Sequence, residues 1–166
     1  MRSRDFLAGA IGTAALLAAA CGGSSPSTAA ASPSASPVAS PSASPAATGT
    51  TIAVATSKLG QILVDGNGMT VYLFVADTGT TSTCYTSCAT IWPPVLTTGA
   101  PQAGAGATAT QLGTTTRTDG KVEVTYAGHP LYYFVQDKAP GDTTGQGING
   151  FGGLWWVVSP AGAAIH

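Results

Sequence analysis

A chain of 166 residues holds one domain plus extensions. Only 8% of it is charged and its formal net charge is −1, so it offers no basic patch to nucleic acid or to anionic lipid headgroups. Its 22 glycines and 11 prolines suit a turn-rich β protein, kept soluble by Ser, Thr and Gly rather than by charge repulsion.

Residues 1–20 read as an export signal. Arg2 and Arg4 supply the charged start, and 6–20 is an apolar run short of the roughly 20 residues that a membrane span needs. The run ends in LLAAAC, with small residues directly before Cys21. That is the pattern of a bacterial lipoprotein cleavage site, with Ala18 where Leu is usual. On this reading the Cys21 thiol is diacylated and becomes the new N-terminus. The protein is then anchored to the outer face of a membrane, since two acyl chains hold where one holds only weakly. The alternative is a plain secretory signal with an incidental Cys. SRDFL at 3–7 resembles a twin-arginine signal with one arginine missing, which favours Sec export.

Residues 22–50 carry no charge, and ASPSASPVASPSASPAA runs through 31–47. Such a stretch buries too little apolar surface to offset ordering, so 21–50 is expected to be a disordered tether biased toward polyproline II. It reads first as a spacer that reaches into the cell wall, and its Ser and Thr beside Pro would also accept O-glycosylation.

The folded part is expected over 51–166. TIAVATS at 51–57 and QILVD at 61–65 alternate as half-buried strands do, and DGNG at 65–68 is a hairpin turn. MTVYLFVAD at 69–77 returns with apolar residues on both faces, as a central strand requires. The loop 77–96 contains the only helix expected, one or two turns around 84–91, and the segment 97–113 is expected to be irregular. KVEVTY at 121–126, a turn at 127–130 and LYYFVQD at 131–137 then repeat the plan, with Pro130 placed where a strand can open. A second long loop leads to the strand that carries Trp155 and Trp156.

The plan repeats residue by residue. Laid without a gap over 120–137, residues 60–77 match at 7 of 18 positions: Gly60, Val64, Gly68, Tyr72, Phe74, Val75 and Asp77. The fold expected is therefore all-β, with two tandem hairpin-plus-strand repeats (51–96 and 117–160) about a pseudo-twofold axis. Sandwich and barrel remain open.

Chemistry is sparse. Outside the cytoplasm Cys84 and Cys88 are expected to pair in a disulfide that pins its own loop. A redox or metal pair is the alternative. Asp77 and Asp137 end matching strands. Either they cap the turns that follow, or the axis brings them together as an acid–base or cation-holding pair. Tyr72, Phe74, Tyr132 and Phe134 read as core rings, with the hydroxyls satisfied at the rim. Asp142 reads as turn-forming. Trp92, Asp142, Trp155 and Trp156 lie in or beside the long loops and are the candidate ligand-facing residues. Adjacent on a strand, Trp155 and Trp156 point to opposite faces, which leaves one of them open to exposure. There is no nucleophile motif, no phosphate loop and no metal spacing, so no catalytic residue, metal or cofactor is assigned.

The doubled Y-x-F-x-x-D, the C-x-x-x-C-A-x-x-W-P-P at 84–94, the P-G-D-x-x-G-Q-G at 140–147 and the closing W-W-V-V-S-P-x-G together resemble a known family. It is that of the bacterial secreted-repeat lipoproteins with the Yx(FWY)xxD motif. The likeness covers about 55–160. It implies an extracytoplasmic lipoprotein with tandem repeats and no established activity. An association with alkane catabolism comes with the family alone, and no residue here supports it. The sequence thus points to a membrane-anchored, non-enzymatic binding or envelope module. Its partners would be cell-wall components or a small ligand, not nucleic acid. A metal-binding or redox-linked protein is the alternative.

Overall fold

The computed structural model describes residues 49–166. The export signal, Cys21 and the tether, apart from its last two residues, lie outside them. Strands β1 (Thr51–Ser57) and β2 (Gly60–Asp65) form an antiparallel hairpin in which Ile52 faces Asp65 and Ser57 faces Gly60. The chain turns back through the Asp65 carboxylate, whose Oδ1 accepts the backbone N–H of Asn67 and of Met69. Strand β3 (Tyr72–Phe74) follows, then helix α1 (Ser87–Ile91), where one or two turns were expected.

The expected strand over 69–77 is shorter than its apolar pattern. Asp77 donates its N–H to Phe74 O at 3.1 Å, a turn that ends the strand and leaves Val75 55% exposed. Asp137 makes the same bond to Phe134 O. The linking segment 97–113 holds more structure than expected. Strand β4 (Gln102–Ala103) pairs parallel with β1, and a 3₁₀ turn (Ala109–Gln111) leads into β5 (Leu112–Thr116). The chain LGTTT lacks the apolar alternation that marks a strand, yet β5 pairs along its length with β6 (Val122–Tyr126) and stands where the first repeat has β1. The strand pairing of the second unit begins at Leu112. Strands β7 (His129–Pro130), β8 (Asn149–Gly150) and β9 (Gly153–Val157) complete the set.

Three small sheets result, in the orders β2-β1-β4, β3-β9-β8 and β5-β6-β7. They do not close into a barrel, and the all-β arrangement is sandwich-like. The two faces of β3 serve two cores. Tyr72 and Phe74 enter one with Trp92, Phe134 and Trp155, while Val71 and Leu73 enter the other with Ile52, Val95, Val124 and Leu131. The strand is central because both faces are apolar and both are covered.

The repeats are interleaved rather than set side by side. Strand β3, from the first, pairs with β9 of the second, placing Tyr72 opposite Val157 and Phe74 opposite Trp155. Reciprocally, the second repeat's Tyr133 and Val135 donate to Pro93 O and Ile91 O of the first. Between them Tyr72 and Tyr132 exchange both backbone bonds, N–H to O, at 2.8 and 3.0 Å. That pair marks the pseudo-twofold axis. Among the described residues no helix is long and apolar enough to cross a membrane.

Candidate functional site

The two copies of the motif meet at the axis, and each completes the other. Tyr72 donates its hydroxyl to Asp137 Oδ2 at 2.6 Å, and Tyr132 donates to Asp77 Oδ2 at 2.6 Å. The other carboxylate oxygen of each aspartate holds its own loop. Asp77 Oδ1 accepts from the N–H and the hydroxyl of Thr83, both at 2.7 Å, and Asp137 Oδ1 accepts from the N–H and hydroxyl of Thr144 at 2.9 and 2.5 Å. The expected capping role is thus present at both aspartates, together with a bond across the axis. Burial raises the phenol pKa of both tyrosines, and the neighbouring carboxylates raise it further: Asp137 for Tyr72, Glu123 and Asp77 for Tyr132. Both therefore stay protonated donors. The geometry makes Asp77 and Asp137 structural acceptors, not a free acid–base pair.

The aromatic members are exchanged in the same way. Phe74 stacks on Trp155 of the other repeat at 4.0 Å between centroids, and Phe134 on Trp92 at 4.3 Å. Trp92 and Trp155 stack on each other at 4.1 Å with their planes 4° apart. A continuous column of four rings results, in the order Phe74, Trp155, Trp92, Phe134. Tyr72 meets Trp92 edge-on at 5.3 Å and Tyr132 meets Trp155 edge-on at 5.1 Å, the arrangement that ring quadrupoles favour. The column leaves no room for a side chain at Gly145, where a Cβ would stand 2.8 Å from Trp92 and 3.0 Å from Tyr72.

Two of the candidate ligand-facing residues are therefore core. Trp92 and Trp155 are fully buried in the column and meet no solvent. The reason is the exchange of strands, which folds each loop's Trp inward over the other repeat's Phe. Trp156, on the opposite face of β9, is half-buried with its ring edge-on to His166 at 4.6 Å. Asp142 is half-buried and holds a turn, its Oδ2 accepting the N–H of Lys138 and of Ala139. Cys84 and Cys88 form the expected disulfide, Cα to Cα 5.2 Å, against Trp92. Among the described residues no group of three or more His, Cys, Asp or Glu stands close enough to hold a metal ion.

One polar cluster had no place in the sequence reading. Arg117, buried, donates Nη1 to Glu123 Oε2 at 2.7 Å and to Ser82 Oγ at 2.7 Å, and Nη2 to Cys84 O at 2.6 Å. Its guanidinium also lies 4.4 Å from the centre of the Tyr85 ring. Ser82 Oγ stands 2.8 Å from the Tyr132 hydroxyl, which joins the cluster to Asp77. Glu123 is fully buried and its Oε1 has no partner. Burial pushes its carboxyl up to about 7 against the downward pull of Arg117, and the charge of Asp77 adds to the rise. Arg117 itself is held above its ordinary value, burial being overridden by Glu123. The signal for this cluster was in the sequence: with the repeats aligned, Glu123 stands where the first repeat has the buried Leu63, an acid in an otherwise core-facing position.

An open cleft of about 440 Å³ is lined by Thr50, Leu96, Thr97, Thr98, Lys121 and Val122. Leu96 and Val122 expose more than a third of their surface there.

The Tyr72–Asp137 bond carries a measurable coupling. Tyr72→Phe is expected to cost about 1.5–3 kcal/mol, because it leaves a buried carboxylate oxygen short of its donor. Tyr72→Phe combined with Asp137→Asn should cost less than the sum of the two, since they share one bond. Urea denaturation of the four proteins reads the coupling, and strict additivity would contradict the bond.

A family model described as a secreted repeat of unknown function matches the chain twice, over residues 53–96 and 113–159. No curated protein and no solved structure matches.

Proposed function

Because this chain belongs to the family of secreted repeats of unknown function, whose place is extracytoplasmic, we propose that it is a lipid-anchored module that acts by binding rather than by turnover. The acyl anchor sits on Cys21, and the Ala/Ser/Pro segment carries the folded domain away from the membrane. The observation that supports binding over catalysis is the full use of the motif's polar groups. Both oxygens of Asp77 and of Asp137 accept hydrogen bonds, and both tyrosine hydroxyls are bound across the axis. What the domain leaves open is surface. The cleft beside Thr50 has the size of small-ligand sites and is lined by the apolar Leu96 and Val122 together with Lys121. Cell-wall fragments or another small ligand are the partners this cleft would take.

Two measurements test the proposal. In cells fed an alkynyl fatty acid, the full chain should take up the label and pellet with membranes. Cys21→Ser should lose the label and leave the membrane fraction, and a variant that keeps both would sink the anchor. For the binding half, the chain should sediment with purified cell-wall sacculi, and Leu96→Asp with Val122→Asp should release it. Failure of the wild-type chain to sediment removes the wall as the partner.

A further inference from the structure

The hairpin joining β8 to β9 sets an apolar side chain where folding alone would not. Its two central residues, Phe151 and Gly152, have φ of 57° and 94°. A tight turn of this kind favours Asn, Asp or Gly at both places. Phe151 therefore carries two costs at once. Its backbone is in a region that a bulky side chain avoids, and the residue is 48% exposed. Strain at an exposed apolar residue points to use rather than to stability.

The tip does not stand alone. Leu154, 36% exposed, follows it on β9, and its carbonyl accepts the N–H of Val75, which is 55% exposed. The base of the hairpin is fixed by register, Asn149 opposite Leu154 and Gly150 opposite Gly153, and by the Trp155 indole N–H, which donates to Gly150 O at 3.2 Å. The finger is thus held to the column of rings, with Phe151 projecting at its end. The chain from 143 to 165 holds no Asp, Glu, Lys, Arg or His, and neither does 69–76. The one charged group on the segments of Phe151, Leu154 and Val75 is Asp77, two positions past Val75, and both its oxygens are taken by Thr83 and Tyr132; such surroundings suit contact with an uncharged apolar phase rather than with a charged partner.

We propose that this finger docks into the lipid bilayer that carries the protein, with Phe151 entering the boundary between headgroups and acyl chains and Leu154 and Val75 at its shoulder. The inference rests on the anchored reading above. Twenty-seven residues lie between Cys21 and Gly49, a length that spans at most about 95 Å even when fully extended. An anchored domain therefore never leaves the neighbourhood of its membrane. At the effective concentration this imposes, a contact that holds a free protein only weakly is enough to fix the orientation of a tethered one.

The test uses the chain with Cys21→Ser, so that vesicle binding is read without an acyl chain. Sedimentation with phosphatidylcholine vesicles and with vesicles containing phosphatidylglycerol should show weak binding, equal for both and insensitive to salt. Phe151→Asp creates an Asp-Gly pair that suits the turn. It should raise the thermal midpoint while lowering the vesicle partition coefficient by about tenfold or more. Opposite signs on folding and on binding are the signature of the proposal. Binding unchanged in Phe151→Asp, no binding by the parent chain, or binding that salt abolishes would each overturn it. The fatty-acid label separates the two readings: label present without vesicle binding removes the finger alone, and vesicle binding without label removes the anchor alone.

Discussion

Trp155→Ala is expected to cost about 3–5 kcal/mol, a large part of the roughly 5–15 kcal/mol that holds a domain together. Trp155 is the second ring in the column of four. It is stacked on Phe74 at 4.0 Å and on Trp92 at 4.1 Å, with Tyr132 against its edge. Its loss opens a cavity at the axis, where neither repeat can close in without moving the other. Urea denaturation should show a lower midpoint with one cooperative transition, by fluorescence and by far-ultraviolet circular dichroism alike. Trp156→Ala, one residue on, should cost clearly less, because that ring is only half-buried, packed at the margin of the second core and edge-on to His166. Equal losses at the two positions would contradict the buried column.

Arg117→Leu is the second large effect, and it depends on pH. It leaves the buried Glu123 carboxyl without its partner, so that the group must either stay charged and unpaired or take up a proton, at a cost of up to about 3–5 kcal/mol. Burial lifts the Glu123 carboxyl from its ordinary 4.5 to about 7 in the folded protein. The folded state therefore holds this proton more tightly than the unfolded chain. Its contribution is favourable at acid pH and is lost as pH rises from 4.5 to 7, a decline on the order of 3 kcal/mol. In Arg117→Leu the carboxyl loses the partner that pulled it down, so the decline should continue above pH 7. Glu123→Gln should flatten the profile. Arg117→Leu with Glu123→Leu, which places at 123 the residue the first repeat has at Leu63, should recover much of the loss at neutral pH. Thermal midpoints from pH 4 to 9 read all four proteins. A flat wild-type profile would show that Glu123 does not titrate there.

Much of this architecture was legible in the chain. The match of 60–77 to 120–137 gave the two units, the turn at 65–68 gave the first hairpin, the turn expected over 127–130 gave the second although 129–130 already belong to β7, and the extracytoplasmic setting gave the disulfide of Cys84 and Cys88. What pattern could not supply was partnership at long range. Nothing local distinguishes a Tyr72 that bonds its own repeat from one that bonds Asp137, 65 positions away, because exchange between repeats leaves each repeat's sequence unchanged. The same exchange hid the burial of Trp92 and Trp155, which sit beside polar Gly/Thr loops in sequence but beneath Phe134 and Phe74 in space. Strand β5 was missed because Gly113 and its threonines carry no apolar alternation; it is held by pairing with β6. For Arg117 and Glu123 the reason is different, since their signal lies in a mismatch between the repeats and not in the matches.

That mismatch has a consequence for how such a domain can change. Two identical repeats exchanging strands about a twofold axis have the geometry of an isologous dimer, in which every residue must appear on both sides. Such an assembly could acquire a buried glutamate only as a pair, and each copy would need its own arginine. Joining the halves through residues 97–111 removes that constraint. One half keeps Leu63 as plain packing, while the other takes Glu123, Arg117 and a carboxyl that titrates near neutral pH. The covalent link is what allows this fold to be symmetric in its support and one-sided in its chemistry.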